Sequence, residues 1–441
     1  MRFLFAFISL IFLTNIQANK KSPRYDHSQK RLIVKFKNDF LPSLPQDYNL
    51  KFKRLFPKVF VAYGRDLKRM EKILLNNQDV EYVEKDYFGS TDKFKNIKQS
   101  FPHFNLSSTG PSFFNDPMAQ RQWHLNSSKS FGSSIEEAYK KRHSDKKSPL
   151  IIAIVDTGID YTHQDLKDKI WINEDEIPNN NIDDDENGYI DDYYGINTLI
   201  RDKEGKATSN PLDSHGHGTH VAGIIGASQN NGLGVAGIAE RVKLMGIRTV
   251  PGRGDEKDVD VIEAFIYAAK QGAKIINCSF GKNHNEGGKA VKEAIDFIGK
   301  QYGVLVVAAS GNSRRNIDSQ PVYPASFEND NLLVVASSSK GNYLSYFSNY
   351  GLRNVDLAAP GSSILSTYPG NRYTNLSGTS MASPVVAGIA AEVLSRNPSL
   401  NPVNLKKILL SSTHKVEGFN GKLVSPGRVD LEKALQKGEA P

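Results

Sequence analysis

The 441-residue sequence predicts an α/β protein: a three-layer domain on a mostly parallel central sheet, preceded by a small α+β unit. Three observations carry this. Apolar runs at 150–155, 243–247, 274–278, 304–309, 332–336 and 355–358 are nearly continuous, as expected of parallel strands buried on both faces. Helical stretches at 217–227, 258–271, 288–300 and 380–395 separate several of those runs, as parallel crossovers require. The region from about 20 to 110 follows a different pattern, with an alternating strand, a helical stretch and a second strand.

The first residues, MRFLFAFISLIFLTNIQA, have a positive start, an apolar stretch at 3–13 and a small residue at Ala18. Residues 1–18 therefore read as a secretory signal peptide, with an exported, extracellular product. The apolar run is short for a membrane span and no other segment approaches eighteen apolar residues, so stable membrane association is not expected. Next come the strand RLIVKFK (31–37), a helix over 66–80 and a strand at 81–87. The stretch 91–114 is polar and aperiodic, with Ser, Pro and Gly, which suits a linker open to proteolysis. The expected divisions are 19–90 for the small unit, 91–114 for the linker and 115–441 for the large domain, which is long enough for one sizeable core. GLGVAGIAE (232–240) is too rich in glycine for a strand.

Composition narrows the function classes. The 56 Lys and Arg against 48 Asp and Glu give a net charge of +8. Much of the basic content precedes the large domain, KKRHSDKK (140–147) reads as an exposed loop, and no nucleic-acid motif accompanies either, so no nucleic-acid partner is expected. Cys278 is the single cysteine, which rules out an intramolecular disulfide, and its setting in AKIINCSFG reads as a small buried hydrophobe. There are no repeats of the kind a structural or adhesive protein would need.

Chemistry concentrates in three segments. IIAIVDTGID (151–160) ends an apolar strand with Asp156, HGHGTHVAGIIG (215–226) opens a helix near His217, and GTSMASP (378–384) places Ser380 at a helix start after a Gly-Thr turn. Each alone has an ordinary reading, as a strand-end turn, a cap or a capping serine. Together they supply a carboxylate, a base and a nucleophile, at positions that converge outside the carboxyl ends of strands in open α/β sheets. His215, His217 and His220 crowd one segment, yet the H-E-x-x-H spacing of a zinc protease is missing. His215 reads as a loop residue near the cleft and His220 as a structural histidine on the helix.

One acidic stretch stands out. NNNIDDDENGYIDDYYG (179–195) contains D-x-D-x-N-G, the first half of an EF-hand-like loop, with oxygen ligands at Asp183, Asp185 and Asn187 and the turn glycine at Gly188. Asp192 lies close behind, and Tyr194 stands where an EF-hand carries its glutamate. The reading is a structural Ca²⁺ site, against the plain alternative of a solvated acidic loop.

The three motifs resemble those of the subtilisin-like serine proteases, the subtilases, over essentially the whole chain. Asp156, His217 and Ser380 match the family's Asp-His-Ser triad. The resemblance implies an oxyanion-hole residue, Asn312 in AASGN (308–312), and a substrate-pocket edge at Ser279, Phe280 and Gly281, where Phe280 replaces the common leucine. It implies that the small unit, ending in VEYVEKDY, is an inhibitory propeptide removed at a site between about 88 and 115. It also implies a further calcium site with Asp116 and either Asn230 or Asn231. The expected function is a secreted, monomeric serine endopeptidase acting on polypeptide substrates and made as a self-processing zymogen. The alternative is an inactive subtilase-like secreted binding protein, which would normally have lost a triad residue.

Overall fold

The computed structural model describes residues 27–41, 50–87, 112–141, 149–203, 205–252, 256–282 and 288–439. The signal-peptide segment, residues 91–111 of the linker and residues 142–147 of the basic run lie outside the described residues.

The N-terminal unit contains β1 (His27–Phe36), β2 (Lys51–Phe56), β3 (Val59–Tyr63), α1 (Leu67–Leu75) and β4 (Val80–Tyr87), in an antiparallel sheet of order β2-β3-β1-β4. Strand alternation sorts β1 between two cores. Leu32, Val34 and Phe36 pack with Met70 and Leu74 of α1, while Ile33 joins a core shared with the large domain. Helix α1 starts on the Asp66 carboxylate, which accepts from Arg69 N–H at 3.0 Å. It stops short of the expected residue 80, because Asn77 forms an Asx turn, its Oδ1 accepting from Asp79 N–H at 2.8 Å.

The large domain comprises α2 (Ile135–Lys141), β5 (Leu150–Asp156), β6 (Ile196–Arg201), β7 (Ala207–Ser209), α3 (His217–Gly226), β8 (Val242–Arg248), α4 (Asp258–Lys270), β9 (Ile275–Cys278), α5 (Lys289–Tyr302), β10 (Leu305–Ala309), β11 (Leu332–Ser338), β12 (Leu357–Pro360), β13 (Ile364–Tyr368), β14 (Arg372–Leu376), α6 (Thr379–Arg396), α7 (Pro402–Ser411), β15 (His414–Lys415), β16 (Gly427–Arg428) and α8 (Leu431–Gly438). One sheet runs β15-β16-β12-β11-β10-β9-β5-β8-β6-β7, parallel from β16 to β6, with antiparallel pairing confined to the edge strands β15 and β7. Alternate residues feed two cores. Ile152, Ile154, Leu305 and Val307 face α2, α3, α6, α7 and α8, whereas Ala153, Val155, Val306 and Ala308 face α4 and α5. The expected three layers follow from this double burial. The first strand of the domain, β5, lies mid-sheet between β8 and β9, so chain direction switches beside the end of β5, where open α/β sheets place their sites. Residues 232–240 form no strand, as their glycines predict. Among the described residues, no helix is long and apolar enough to cross a membrane.

The N-terminal unit docks on α4 and α5 and supplies side-chain caps to both. The residues before α4 and α5, Lys257 and Gly288, offer no side-chain cap. The Asp86 carboxylate accepts from Val259 N–H at 3.0 Å, and Glu84 accepts from Gly288 N–H and from Ala290 N–H at 3.3 Å. Around these caps, Arg31 pairs with Asp86 at 2.6 Å and with Asp260 at 3.3 Å, Lys53 reaches Glu263 at 2.8 Å, and Arg201 binds both Asp260 and Glu263.

Candidate active site

Asp156 is the last residue of β5 and 1% exposed. Its Oδ1 accepts from Thr157 N–H and faces His217 Nδ1, both at 2.7 Å. His217 opens α3, and Gly218 beside it must be glycine: a Cβ there would stand 2.1 Å from the Gly158 carbonyl oxygen. The start of α3 is organised by Asp213, whose carboxylate accepts from the N–H groups of His215 (2.8 Å), Gly216 (2.9 Å) and Thr219 (3.0 Å) and from the hydroxyls of Thr157 (3.0 Å) and Thr219 (2.7 Å). Burial alone would push the His217 imidazole down; the charge and hydrogen bond of Asp156 outweigh it and leave His217 above its ordinary value. An imidazole in that setting is fixed with Nδ1 on the carboxylate and Nε2 turned away from it.

Ser380 is the second residue of α6 and nearly buried. Pro384 lies four residues on, so the Ser380 carbonyl lacks its intrahelical N–H partner. The Ser279 hydroxyl fills that place, donating to the Ser380 carbonyl at 3.0 Å, while the Ser380 hydroxyl donates back to the Ser279 carbonyl at 3.1 Å. Beneath them Asn277 donates to Ser279 Oγ at 2.9 Å and accepts from Ser383 Oγ at 2.7 Å. In this state the Ser380 hydroxyl rests on Ser279 rather than on His217. Asn312 follows β10, and its side-chain carbonyl accepts from Thr379 N–H at 2.9 Å and Thr379 Oγ1 at 3.0 Å. This fixes the amide, whose Nδ2 would lie 3.5 Å from a Cβ built on Gly378, so the NH₂ points to the start of α6.

The other histidines divide as expected. His215 is exposed beside His217, with ring centroids 6.5 Å apart. His220 is buried, with Nε2 3.0 Å from both the Ile364 and Thr374 carbonyls, and burial pushes its pKa down to about 3. Cys278 is buried and its thiol is pushed well up by that burial, so it is a core residue. Phe280 lines a small cavity with Val261, Asp258, Lys282 and Tyr323.

The acidic loop gathers a group that the motif only partly foretold. Carboxylate oxygens of Glu176, Asp183 and Asp185 lie within 4.8 Å of one another. Glu176 is 3% exposed, and among the described residues its Oε2 and Asp183 Oδ1 have no hydrogen-bond partner. An all-oxygen set with orphaned buried carboxylate atoms fits Ca²⁺. Asn187 and Asp192 stand beside it. The Asp192 carboxylate is engaged by Asn173 (2.9 Å), Asn187 (3.0 Å) and the Tyr267 hydroxyl (2.6 Å). Glu176 precedes the motif by seven residues, and nothing in the sequence marked it. Elsewhere, Asp116 accepts from the N–H groups of Asn230 (2.9 Å) and Asn231 (3.3 Å), while the Asn231 amide donates to Asp165 at 2.8 Å. Asp165 is a second acid that sequence reading missed.

Parallel strands whose carboxyl edge gathers an aspartate-histidine pair, a serine on a helix start and a clamped asparagine define an α/β protein of the hydrolase type. The model of the subtilase family matches residues 147–429, and the chain belongs to that family. It is 36% identical over 285 residues to thermitase of Thermoactinomyces vulgaris, covering 65% of this chain and 88% of thermitase. It is 32% identical over 389 residues to subtilisin-like protease 1 of Plasmodium berghei, covering 84% of this chain and 60% of that protein, so it spans about three fifths of that longer relative. The solved structure of fervidolysin from Fervidobacterium pennivorans, described as a keratinolytic enzyme related to subtilisin, shares the fold with a TM-score of 0.68 at 23% identity, over 94% of this chain and 61% of that one.

Proposed function

We propose that this chain is an exported serine endopeptidase, made as a zymogen, that hydrolyses polypeptides through Asp156, His217 and Ser380. The observation that carries the reading is the 2.7 Å Asp156–His217 contact at the end of β5, with Ser380 on a helix start tied through Ser279 to the end of the neighbouring strand β9. In the proposed reaction the Ser380 hydroxyl turns from the Ser279 carbonyl to His217 Nε2, gives up its proton there, and Oγ attacks the peptide carbonyl. His217 then returns the proton to the leaving amine, and water releases the acyl group by the reverse sequence. Asp156 holds the tautomer and stabilises the imidazolium. The Asn312 NH₂ and the Ser380 N–H meet the developing oxyanion.

The N-terminal unit acts in this reading as the intramolecular inhibitor. Its last described residue, Tyr87, lies with its ring 5.6 Å from Lys282 Nζ, three residues from Ser279, so the described end of the unit stands near the cleft. The maturation cut then falls in the segment after Tyr87, before the large domain begins. Ca²⁺ held by Glu176, Asp183, Asp185 and Asn187, with Asp192 behind them, supplies structural rigidity and no chemistry. The further ion that the family resemblance implies would take Asp116 with Asn230 or Asn231. The mature enzyme is read as a secreted monomer acting on polypeptide substrates.

The test expresses residues 19–441 with Ca²⁺ as wild type and as Ser380→Ala, following intact mass and turnover of an unstructured protein. Processing and turnover in the wild type, both lost in the variant, are the expected result. A folded, propeptide-free and inert wild type would overturn the endopeptidase reading in favour of a binding protein.

A further inference from the structure

We infer that the Ser279 hydroxyl is a positioning residue for Ser380, replacing the helical N–H that Pro384 removes. The inference rests on Ser380 being the nucleophile and concerns how its backbone is held. In α6 the carbonyl of residue i normally receives the N–H of residue i+4, and for Ser380 that residue is Pro384. The nucleophile's own carbonyl is thus left without a partner in a site that is 3% exposed. Such a vacancy lets the first turn of a helix rotate or splay. Ser279 Oγ closes it at 3.0 Å, in direct reciprocity with the Ser380 Oγ to Ser279 carbonyl bond at 3.1 Å.

The Ser279 hydroxyl is itself aimed from below. Asn277 Nδ2 donates to it at 2.9 Å, which occupies one of its two lone pairs and orients the hydroxyl, while its proton goes to the Ser380 carbonyl. Asn277 is fixed in turn by Ser383, whose hydroxyl donates to Asn277 Oδ1 at 2.7 Å and approaches the Val307 carbonyl at 3.2 Å. Asn277 and Ser383 are both fully buried. Ser383 and Pro384 are neighbours, so one turn of α6 both removes the helical donor and anchors the side chains that restore it. The chain Ser383–Asn277–Ser279–Ser380 ties the nucleophile to β9, the strand next to β5, where Asp156 sits. It thereby links the two halves of the site through buried hydrogen bonds.

Ser279→Ala should lower kcat about tenfold with KM little changed, because the nucleophile is mispositioned while the substrate groove is kept. Ser279→Thr, which keeps the hydroxyl, should restore most of kcat. The decisive variant is Ser279→Ala with Pro384→Ala. Alanine at 384 supplies the missing N–H to the Ser380 carbonyl, so the double variant should be several-fold more active than Ser279→Ala alone, a non-additive cycle. Rates are normalised by active-site titration with a sulfonyl fluoride, so that misfolded protein does not count, and melting temperatures are recorded alongside. An active wild type with Ser279→Ala at wild-type kcat overturns the inference. Additive losses in the double variant overturn it as well. A wild type without turnover instead fails the endopeptidase reading, so the two failures are distinguishable.

Discussion

Raising the pH through 7 should loosen the N-terminal unit, and Glu84 sets much of the slope. Its carboxylate is 8% exposed between the starts of α4 and α5, and its pKa is pushed from 4.5 up to about 7, by burial first and then by the charge of Asp258, against the N–H groups of Gly288 and Ala290. Released from the interface, the carboxyl returns to its ordinary value. The docked state therefore binds the proton more tightly, so docking is strongest below pH 4.5 and weakens as pH rises through 7. The gap between 4.5 and about 7, at about 1.4 kcal/mol per pH unit, amounts to about 3 kcal/mol. Between pH 5 and 8 the part realised is about 2.5 kcal/mol, or roughly 70-fold. Burial also raises Asp86, on the docking strand itself, which adds a slope of the same sign. The assay is hydrogen exchange of residues 28–87 in full-length Ser380→Ala protein, corrected for intrinsic exchange rates. Protection should fall steeply from pH 5 to 8, and Glu84→Gln should flatten the fall by about one proton's worth. Protection that is level across this range, or a full slope retained in Glu84→Gln, would refute the reasoning.

Asn312→Ala should reduce kcat by about 100- to 1,000-fold with little change in KM, since in the proposed mechanism the lost donor meets only the oxyanion; steady-state kinetics on a chromogenic peptide decide it. Asp156→Asn should cut kcat by about four orders of magnitude. Because Asp156 holds His217 above its ordinary value and the base must be neutral, the acid limb of kcat/KM should lie above pH 6.5 in the wild type and move down in the variant. Glu176→Gln should remove one bound Ca²⁺ by calorimetry and lower the melting temperature in Ca²⁺ but not in chelator.

The parallel strands were legible because burial on both faces leaves an unbroken apolar run, as in IIAIV and VLVVAA. Edge elements were not. RYTNL of β14 is half exposed and polar, and β15 and β16 are two residues each, too short for any periodicity. The three residues proposed as the triad stand out in the sequence because each sits in a glycine-marked turn at an element's end. Their supports are non-local: Ser383 reaches Asn277 across 106 residues, and Ser279 reaches Ser380 across 101. Asp213 is the exception, an acid just ahead of a helix start, where capping grammar was available to find it.

In the zymogen reading proposed above, the ionic interface lets a unit dock firmly and still be released. Arg31 and Asp86 both belong to the N-terminal unit, while Arg201, Asp260 and Glu263 all belong to the large domain, so each side carries most of its own neutralisation. Separation breaks the links from Arg31 to Asp260 and from Lys53 to Glu263 without stranding either cluster. A buried charge left alone is the costly outcome, more than a lost pair. Arg201 should therefore matter most after the unit has gone. In Arg201→Met the intact chain still offers Arg31 and Lys53 to the two acids, whereas the mature domain offers neither. The variant should cost the mature form about 1–3 kcal/mol more than the full-length form, measured by denaturation of each. Equal costs in the two forms would mean that Arg201 serves the interface and not the domain that outlives it.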